Sequence, residues 1–240
     1  MRWMISLRFV FLSISVALSA LVAVCLANNC YLALTSDPMY ETVQDLIELN
    51  DDNLVFPFDI PGTALTALSL VCYEGTFLED GGDLEVTEIT ALMLRNNGDK
   101  HIINASVELV QGGNILVFEL THVPVHGEIL VLERKKQPYL RIPISECRAD
   151  VHTEDYNGWD DALLLTVAGK QELIADNLTE RELKNVIVYY KTYYAPGGFY
   201  VGGITHSIQM ESLDQGEEAR LFPHPYISDS SAVVWAAFDG

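Results

Sequence analysis

Acidic residues gather in one stretch of the chain and could bind a metal ion. Six residues with carboxylate or carboxamide side chains stand within twelve positions: Asp150, Glu154, Asp155, Asn157, Asp160 and Asp161. Calcium prefers several oxygen ligands of this kind. The spacing does not match an EF-hand loop, because Gly158 stands where such a loop would not place a glycine. Solvated carboxylates are therefore the favoured interpretation. Calcium, bound through Asp150, Glu154, Asp155 and Asp160, is the alternative, and no other cofactor is expected.

A cluster of aromatic residues between positions 189 and 200 could bind a ligand. Its members are Tyr189, Tyr190, Tyr193, Tyr194, Phe199 and Tyr200. Tyrosine favours strands, in which successive side chains point to opposite faces. An exposed row formed by Tyr189, Tyr193, Tyr194 and Tyr200 would suit sugar rings or a protein partner. The favoured alternative is ordinary cross-strand aromatic packing within a sheet.

The histidines have no spacing that favours a metal site. His122 and His126 are four residues apart, but Pro124 lies between them and excludes the interior of a helix. Both are interpreted as surface residues of a loop. His224 stands between two prolines and is interpreted as a turn residue.

Four cysteines are present, at positions 25, 30, 72 and 147. None of them forms a Cys-x-x-Cys pair, so a thiolate-bound zinc ion has little support. In an oxidising compartment Cys72 and Cys147 could form one disulfide, and isolated thiols are the equal alternative.

Motifs for nucleophilic catalysis and for phosphate binding are missing. The chain has no Gly-x-Ser-x-Gly elbow and no glycine-rich loop with phosphate-binding spacing. The pairs Gly197-Gly198 and Gly202-Gly203 are interpreted as glycines at strand ends, one in a turn and one at a bulge or close approach. Because triads and carboxylate pairs assemble in space, an exported hydrolase stays an alternative. The favoured prediction is a protein that is not an enzyme.

Composition and charge narrow the class of partner. The 240 residues include 34 acidic and 14 basic side chains, which give a net charge of -20. This balance argues against nucleic acid and against docking on an anionic membrane through basic residues. With 49% hydrophobic and 20% charged residues the chain can bury a core. Its length predicts one or two domains.

The N-terminal residues have the form of an export signal. Arg2 and Arg8 precede an uninterrupted run of apolar or small residues over 9–27. Cleavage after Ala27 would release the remainder, and the run is also long enough to stay as a membrane anchor with the rest outside. We therefore predict a signal peptide or anchor over 1–27 and a secreted or surface-held protein. Contact with the membrane is expected only through this segment.

Residues 28–60 are predicted as a separate N-terminal segment. Ser36-Asp37-Pro38 is a helix-start signal, and 41–50 is amphipathic, so a short helix is expected there. Residues 53–60 are predicted to be extended, with an interruption at Pro57. The polar stretch 147–161 is predicted to connect two domains.

The body of the chain has the pattern of short strands. Ala105, Val107 and Leu109 alternate with polar residues, which indicates a half-buried strand. A Gly-Gly turn follows, and 115–120 is the returning strand. Another strand is predicted over 128–133 after a Pro and Gly turn. The apolar stretch 232–238 is predicted to be the closing core strand, although a terminal strand could instead add to a neighbouring sheet.

The strand pattern repeats once along the chain. With a shift of 81 residues, Leu84 and Val86 align with Leu165 and Val167, and the residue pairs that follow are Leu92–Leu173, Met93–Ile174, Asn96–Asn177, Asn104–Asn185, Ala105–Val186 and Val107–Val188. Larger shifts then align Gly112-Gly113 with Gly197-Gly198, Gly127 with Gly216, and Pro138-Tyr139 with Pro225-Tyr226. Two copies of one β-domain are predicted, over 61–147 and 148–240.

This pattern resembles the small bacterial Ig-like modules of the CARDB and fibronectin-III-like type. The residues that carry the resemblance are Asn96-Asn97-Gly98-Asp99, 107–109, 123–127 and 129–132. The second copy has Asn177-Leu178-Thr179-Glu180 at the turn and departs from the pattern by lacking glycine. The resemblance implies two tandem Ig-like β-sandwiches, an all-β fold, and similarity to exported bacterial proteins.

Together these observations predict an exported, acidic, all-β protein of the cell envelope. Its expected role is non-catalytic, as a binding or structural module for a protein partner at the cell surface. Two alternatives are carbohydrate binding through the tyrosine-rich second domain and an exported hydrolase.

Overall fold

The hairpin that the alternation predicts is present. In the computed structural model, strand β4 (His101–Gln111) pairs antiparallel with β5 (Asn114–Val123), so that Val107 lies opposite Phe118. Both side chains are fully buried. The structure describes residues 53–239, which lie within one compact unit. The predicted signal or anchor over 1–27 and the helix over 41–50 lie outside the described residues.

Most of the described residues lie in strands and very few lie in helices, which confirms the all-β class. Besides β4 and β5, the strands are β1 (Phe58–Asp59), β2 (Leu65–Thr76), β3 (Glu85–Asn96), β6 (Glu128–Leu132), β7 (Ile144–Glu154), β8 (Leu163–Gly169), β9 (Glu172–Asn177), β10 (Leu183–Tyr194), β11 (Phe199–Leu213), β12 (Glu218–Leu221) and β13 (Ser231–Asp239). The helical elements in this part of the chain are a single 3₁₀ turn, Leu78–Asp80, and a one-turn helix α1, Trp159–Ala162. Seven strands form one sheet in the order β1-β2-β3-β6-β11-β10-β13, and two three-stranded sheets have the orders β5-β4-β7 and β12-β9-β8.

Two large cores lie between these sheets. For brevity, 53–154 is called the N-terminal half and 159–239 the C-terminal half. The first core gathers buried side chains from β2, β3 and β6 with those of β4, β5 and β7. The second gathers side chains from β8, β9 and β12 with those of β10, β11 and β13. The neighbour relations recur: β3 lies between β2 and β6 as β9 lies between β8 and β12.

One pairing joins the halves into a single sheet. Strand β6 of the N-terminal half runs parallel to β11 of the C-terminal half, with Ile129 opposite Tyr200 and Leu130 opposite Val201. All other strand pairs of the described residues are antiparallel. A third, smaller apolar cluster lies over this joint and includes Phe77, Ile89 and Leu132.

The prediction that residues 147–161 connect two domains is wrong for most of that stretch. Strand β7 extends to Glu154 and pairs along its length with β4. Its inward positions Cys147, Ala149 and Val151 pack against the first core, while the residues between them are exposed. The strand lies at the edge of its sheet, and one of its faces is exposed to solvent. Polar and charged residues on that face give it the composition of a loop.

The structure also corrects three residue pairs of the repeat alignment. Leu165 lies opposite Ala175 and Ala67 lies opposite Leu94, so β8 is equivalent to β2. The predicted pairs Leu84–Leu165 and Val86–Val167 are therefore wrong. In the turn before β6, the N–H of Gly127 donates to the carbonyl of Pro124. In the turn before β12, the N–H of Glu217 donates in the same way to the carbonyl of Asp214. Gly216 is therefore equivalent to His126, and both residues have positive φ.

Candidate functional site

The aromatic cluster does not form one continuous row. Tyr193 lies opposite Tyr200 on β10 and β11, with ring centroids 5.2 Å apart, and the next pair is Tyr194 with Phe199 at 5.3 Å. Neighbouring pairs on two strands point to opposite faces of the sheet. Tyr200 packs against the first core and Phe199 against the third cluster. Burial, and then the neighbouring Tyr193, raise the pKa of Tyr200.

The remaining tyrosines have different surroundings. Tyr189 stacks on His122 with ring centroids 4.2 Å apart. Tyr190 is 1% exposed, belongs to the second core and donates its hydroxyl hydrogen to the carbonyl of His224. Tyr194 is 50% exposed and offers the most accessible ring of the predicted set. The alternation of apolar residues along β10 predicts on which face of the sheet each tyrosine lies. It does not predict which residues the tyrosine contacts.

The predicted calcium ligands engage different partners. Glu154 lies 3.7 Å from His152, Asp155 forms an ion pair with Lys100 at 3.1 Å, and Asp160 accepts a hydrogen bond from Tyr156. Asp150 points outward from β7 opposite Ser106. Within residues 53–239, no three side chains of the His, Cys, Asp or Glu type are grouped to hold a metal ion. A calcium site stays a prediction.

The two cysteines within the described residues are free thiols in the structure, and the bridge considered for them is not formed. Cys72 is exposed on β2, and Cys147 is half-buried on β7. The two strands belong to different sheets. Burial raises the pKa of the Cys147 thiol to about 11, so it is protonated and a poor nucleophile near neutral pH.

A buried lysine and a glutamate meet where the two halves join, and sequence reasoning missed both. Lys191 on β10 is fully buried, and its Nζ donates to the carbonyls of Gly203 at 2.7 Å and Ile204 at 2.6 Å. Glu79, in the 3₁₀ turn, accepts from the N–H groups of Gly203 at 2.8 Å and Leu132 at 2.7 Å. Burial lowers the pKa of Lys191 to about 7, while the nearby Glu79 carboxylate opposes that shift.

The same junction holds two histidines, and the prediction that His122 is a surface loop residue is wrong. His122 lies within β5, and its ring centroid is 5.7 Å from that of His101 on β4. His101 is 3% exposed and packs on Trp235 at 4.3 Å. Burial, followed by His122 and then Lys191, lowers the pKa of His101 to about 4, and burial with Lys191 lowers that of His122 to about 4. His126 is exposed in a turn, and His224 is exposed between its prolines.

Backbone contact between the halves explains the glycine pair at 202–203. A Cβ atom on Gly203 would overlap the carbonyl oxygen of Glu119 on β5. Beside it, the hydroxyls of Thr121 and Thr205 lie 2.7 Å apart, and that of Thr121 also bonds to the carbonyl of Gly203 at 3.1 Å. The predicted close approach at this pair is confirmed, whereas its predicted place at a strand end is wrong, because both glycines lie inside β11. Because the charges and hydroxyls here bond to the chain itself, the junction holds the two halves together.

An apolar cleft opens on the C-terminal half. It has a volume of about 360 Å³ and lies between strand β8 and the beginning of β13. Its lining includes Trp159, Leu165, Tyr226, Ala232 and Val233. Leu164 and Val167, also in the lining, are 47% and 52% exposed. Both side chains are apolar, so a partner that covered the cleft would remove them from water.

No known family model matches the chain, and no curated protein matches it. Within residues 53–239, no helix is long and apolar enough to cross a membrane. The geometry of the cleft and of the junction therefore carries the functional interpretation.

Proposed function

We propose that the protein is an exported, non-catalytic component of the cell envelope that binds a protein partner at the cell surface. The apolar run at 9–27 supports export, with the protein either secreted or held by that segment. The buried Lys191 and the partly buried Glu79 support a non-catalytic role, because their polar atoms bond to the backbone of the same chain. The net charge of -20 argues against a nucleic acid partner.

The architecture that we propose is two Ig-like β-sandwiches in tandem, the N-terminal half over 53–154 and the C-terminal half over 159–239. The recurring strand neighbours support it, as do two equivalent buried asparagines. The Nδ2 of Asn96 donates to the carbonyls of Lys100, Val123 and Pro124, and the Nδ2 of Asn177 donates to those of Arg181, Leu213 and Asp214. Each asparagine thus fixes the same turn in its half.

The observation that carries the proposed function is the apolar cleft between β8 and β13. Its walls combine core side chains such as Leu163 and Leu173 with the half-exposed Leu164 and Val167. Leaving this apolar area in water costs about 25 cal/mol for each Å² that a partner could cover. A protein partner that covers the cleft would recover that free energy.

Affinity capture with chemical cross-linking from the native cells tests the proposal. The tagged full-length chain is expected to recover one protein in near-equal amount, identified by mass spectrometry. A parallel capture with Ile115→Ala, which removes an exposed apolar side chain from the N-terminal half, is the control for non-specific apolar binding. It is expected to recover the same protein in the same amount. Recovery of the chain alone from intact envelopes would contradict a protein-binding role.

Carbohydrate binding is a second candidate, and the exposure of Tyr194 favours it. The half-exposed ring stands at the end of the β10–β11 hairpin beside Phe199. Aromatic rings in such positions can stack on sugar rings. Binding on a glycan array that is lost in Tyr194→Ala and kept in Tyr156→Ala, another half-exposed tyrosine, would support this function. A clean negative on cell-wall and host glycans would contradict it.

A further inference from the structure

We propose that the cleft between β8 and β13 accepts an extended segment of a partner protein, which adds to the fold as an extra strand. The inference rests on the proposed protein-binding function and names its site and mode. Strand addition supplies backbone hydrogen bonds for affinity, and pockets for alternate side chains supply specificity. Strands β8 and β13 each stand at the end of their sheet, so each has one edge without a strand partner among the described residues.

The N-terminal half shows what fills the equivalent cleft. Its residues 54–60 bend at Phe56 and Pro57 before strand β1, and the side chains of Leu54, Phe56, Phe58 and Ile60 pack on the first core. Val55, Pro57 and Asp59 between them are exposed. This segment touches both sheets: the N–H of Leu54 bonds to the carbonyl of Ile144 on β7 at 2.8 Å, and Phe58 lies opposite Ala67 on β2.

Strand pairing shows that the two clefts are equivalent. Leu65 at the start of β2 lies opposite Asn96, and Leu163 at the start of β8 lies opposite Asn177. The residues just before β2 and β8 accept matching hydrogen bonds. The N–H of Asn97 donates to the carbonyl of Ala64 at 2.8 Å, and the N–H of Leu178 donates to the carbonyl of Ala162 at 2.9 Å. The edge of β8 near Leu165 therefore corresponds to the edge of β2 near Ala67, where residue 58 is bound.

The C-terminal half fills this position only in part. The chain enters β8 through the one-turn helix α1 instead of an extended strand. Trp159 packs against the second core, and the side chain of Asn157 donates to the carbonyl of Ala236 at 2.9 Å. A four-residue helix is too short to run along the edges of both β8 and β13. The cleft therefore stays open at the position that residues 54–58 occupy in the N-terminal half.

The occupant that fits is a segment with apolar side chains at every second position and basic residues beside them. The first feature follows from the alternation of residues 54–60 in the equivalent cleft. The second follows from the exposed Asp160 in the cleft lining and from the net charge of -20. The same charge on a second copy of this chain would repel it, so the occupant is expected to be a different protein.

Photo-cross-linking in the native cells tests this inference. Full-length protein carries an aliphatic diazirine amino acid, close to leucine in size, either at Val167 in the cleft or at Leu178, which is equally exposed and outside the cleft lining. We expect a cross-link from position 167 to one partner peptide with apolar residues at alternate positions, and at most about a tenth as much from position 178. Equal cross-linking from both positions, or a product with a second copy or with residues 1–52 of the same chain, would overturn the inference.

A cleft-filling variant separates this inference from the proposed function. Ala232→Trp places a large ring in the cleft, and Ala195→Trp places one in an exposed turn. We expect Ala232→Trp to lower partner capture by about tenfold or more and Ala195→Trp to leave it unchanged. Equal capture by both would keep the protein-binding function and reject strand addition, whereas no capture by the wild-type chain would reject the function.

Two further measurements keep the test decisive if Ala232→Trp does not fold. Val167→Arg changes an exposed residue of the lining and is expected to lower capture without changing the thermal midpoint. A synthetic peptide with the sequence of residues 53–60, flanked by lysines, serves as a model strand for the purified full-length chain. It is expected to protect amides of β8 from hydrogen exchange, and a scrambled peptide is not. Equal protection by the two peptides would count against strand addition.

Discussion

At the scale of single residues, two asparagines carry much of the turn geometry. Asn96 and Asn177 are 1% and 4% exposed, and each side chain bonds to three carbonyls. Each Oδ1 also accepts from a backbone N–H two residues later, that of Gly98 or Thr179. The repeat in the sequence singled out both residues as turn positions, but their bonds to distant turns depend on the folded chain.

Replacing either asparagine by alanine is expected to destabilise the protein. The change leaves buried carbonyls without a donor, which costs about 1–3 kcal/mol for each variant. Urea unfolding of Asn96→Ala and Asn177→Ala measures the loss. Asn104→Ala, at an exposed position of β4, is the control and is expected to stay within about 0.5 kcal/mol of the wild type. If both Asn96→Ala and Asn177→Ala unfolded at the urea concentration of the wild type, the two asparagines would not stabilise their turns.

Stability is expected to fall when the pH decreases from about 6.5 to 4. The pKa values of His101 and His122 are about 4 in the folded protein, below the ordinary value of 6.5. Between these values the unfolded chain binds more protons, so acid favours unfolding by roughly 2–3 kcal/mol for each histidine. Thermal unfolding across this pH range measures the effect. His122→Phe is expected to reduce the loss of stability per pH unit, and the control His126→Gln is expected to leave it unchanged. If His122→Phe lost stability as steeply as the wild type, the junction would not be the source of the pH dependence.

At the scale of elements, the packing of β11 on β5 depends on a glycine. Gly203→Ala is expected to destabilise the fold by about 3 kcal/mol or more, because the added methyl group overlaps the Glu119 backbone, which cannot rotate away. Denaturant unfolding measures this loss. Gly82→Ala is the control, since its nearest neighbour is the flexible Asp80 side chain at 3.2 Å. A neutral Gly203→Ala would show that the two strands separate easily.

Strand β13 tests the prediction that 232–238 is the closing core strand. The strand forms over Ser231–Asp239 and pairs with β10, and Val234, Trp235 and Ala236 are buried. Deleting 232–240 is expected to abolish cooperative unfolding, because it removes these side chains and uncovers β10. Circular dichroism during heating measures this, with removal of residue 240 alone as the control. A folded deletion variant with unchanged stability would contradict the core role.

At the scale of the whole molecule, the two halves are expected to unfold together. They share the seven-stranded sheet through β6 and β11, and Lys191 and His101 are buried where they meet, beside the partly buried Glu79 and His122. Breaking that junction would separate β6 from β11 and expose the apolar side chains of the third cluster to water, which is costly. Calorimetry is expected to give one transition with a ratio of calorimetric to van't Hoff enthalpy of about one. Two separate transitions would show instead that the halves are independent.

The sequence by itself determined the periodicity, and the tertiary structure decided the neighbours. Alternation with period two marked Ala105 and Val107 as inward-facing, and the repeated Asn turn marked equivalent positions in the two halves. The parallel pairing of β6 with β11, the burial of Lys191 and the open edge of β8 were decided only by folding. The physical reason is that period two fixes the face of a side chain but not the partner strand. Pairing energy depends instead on segments far apart along the chain.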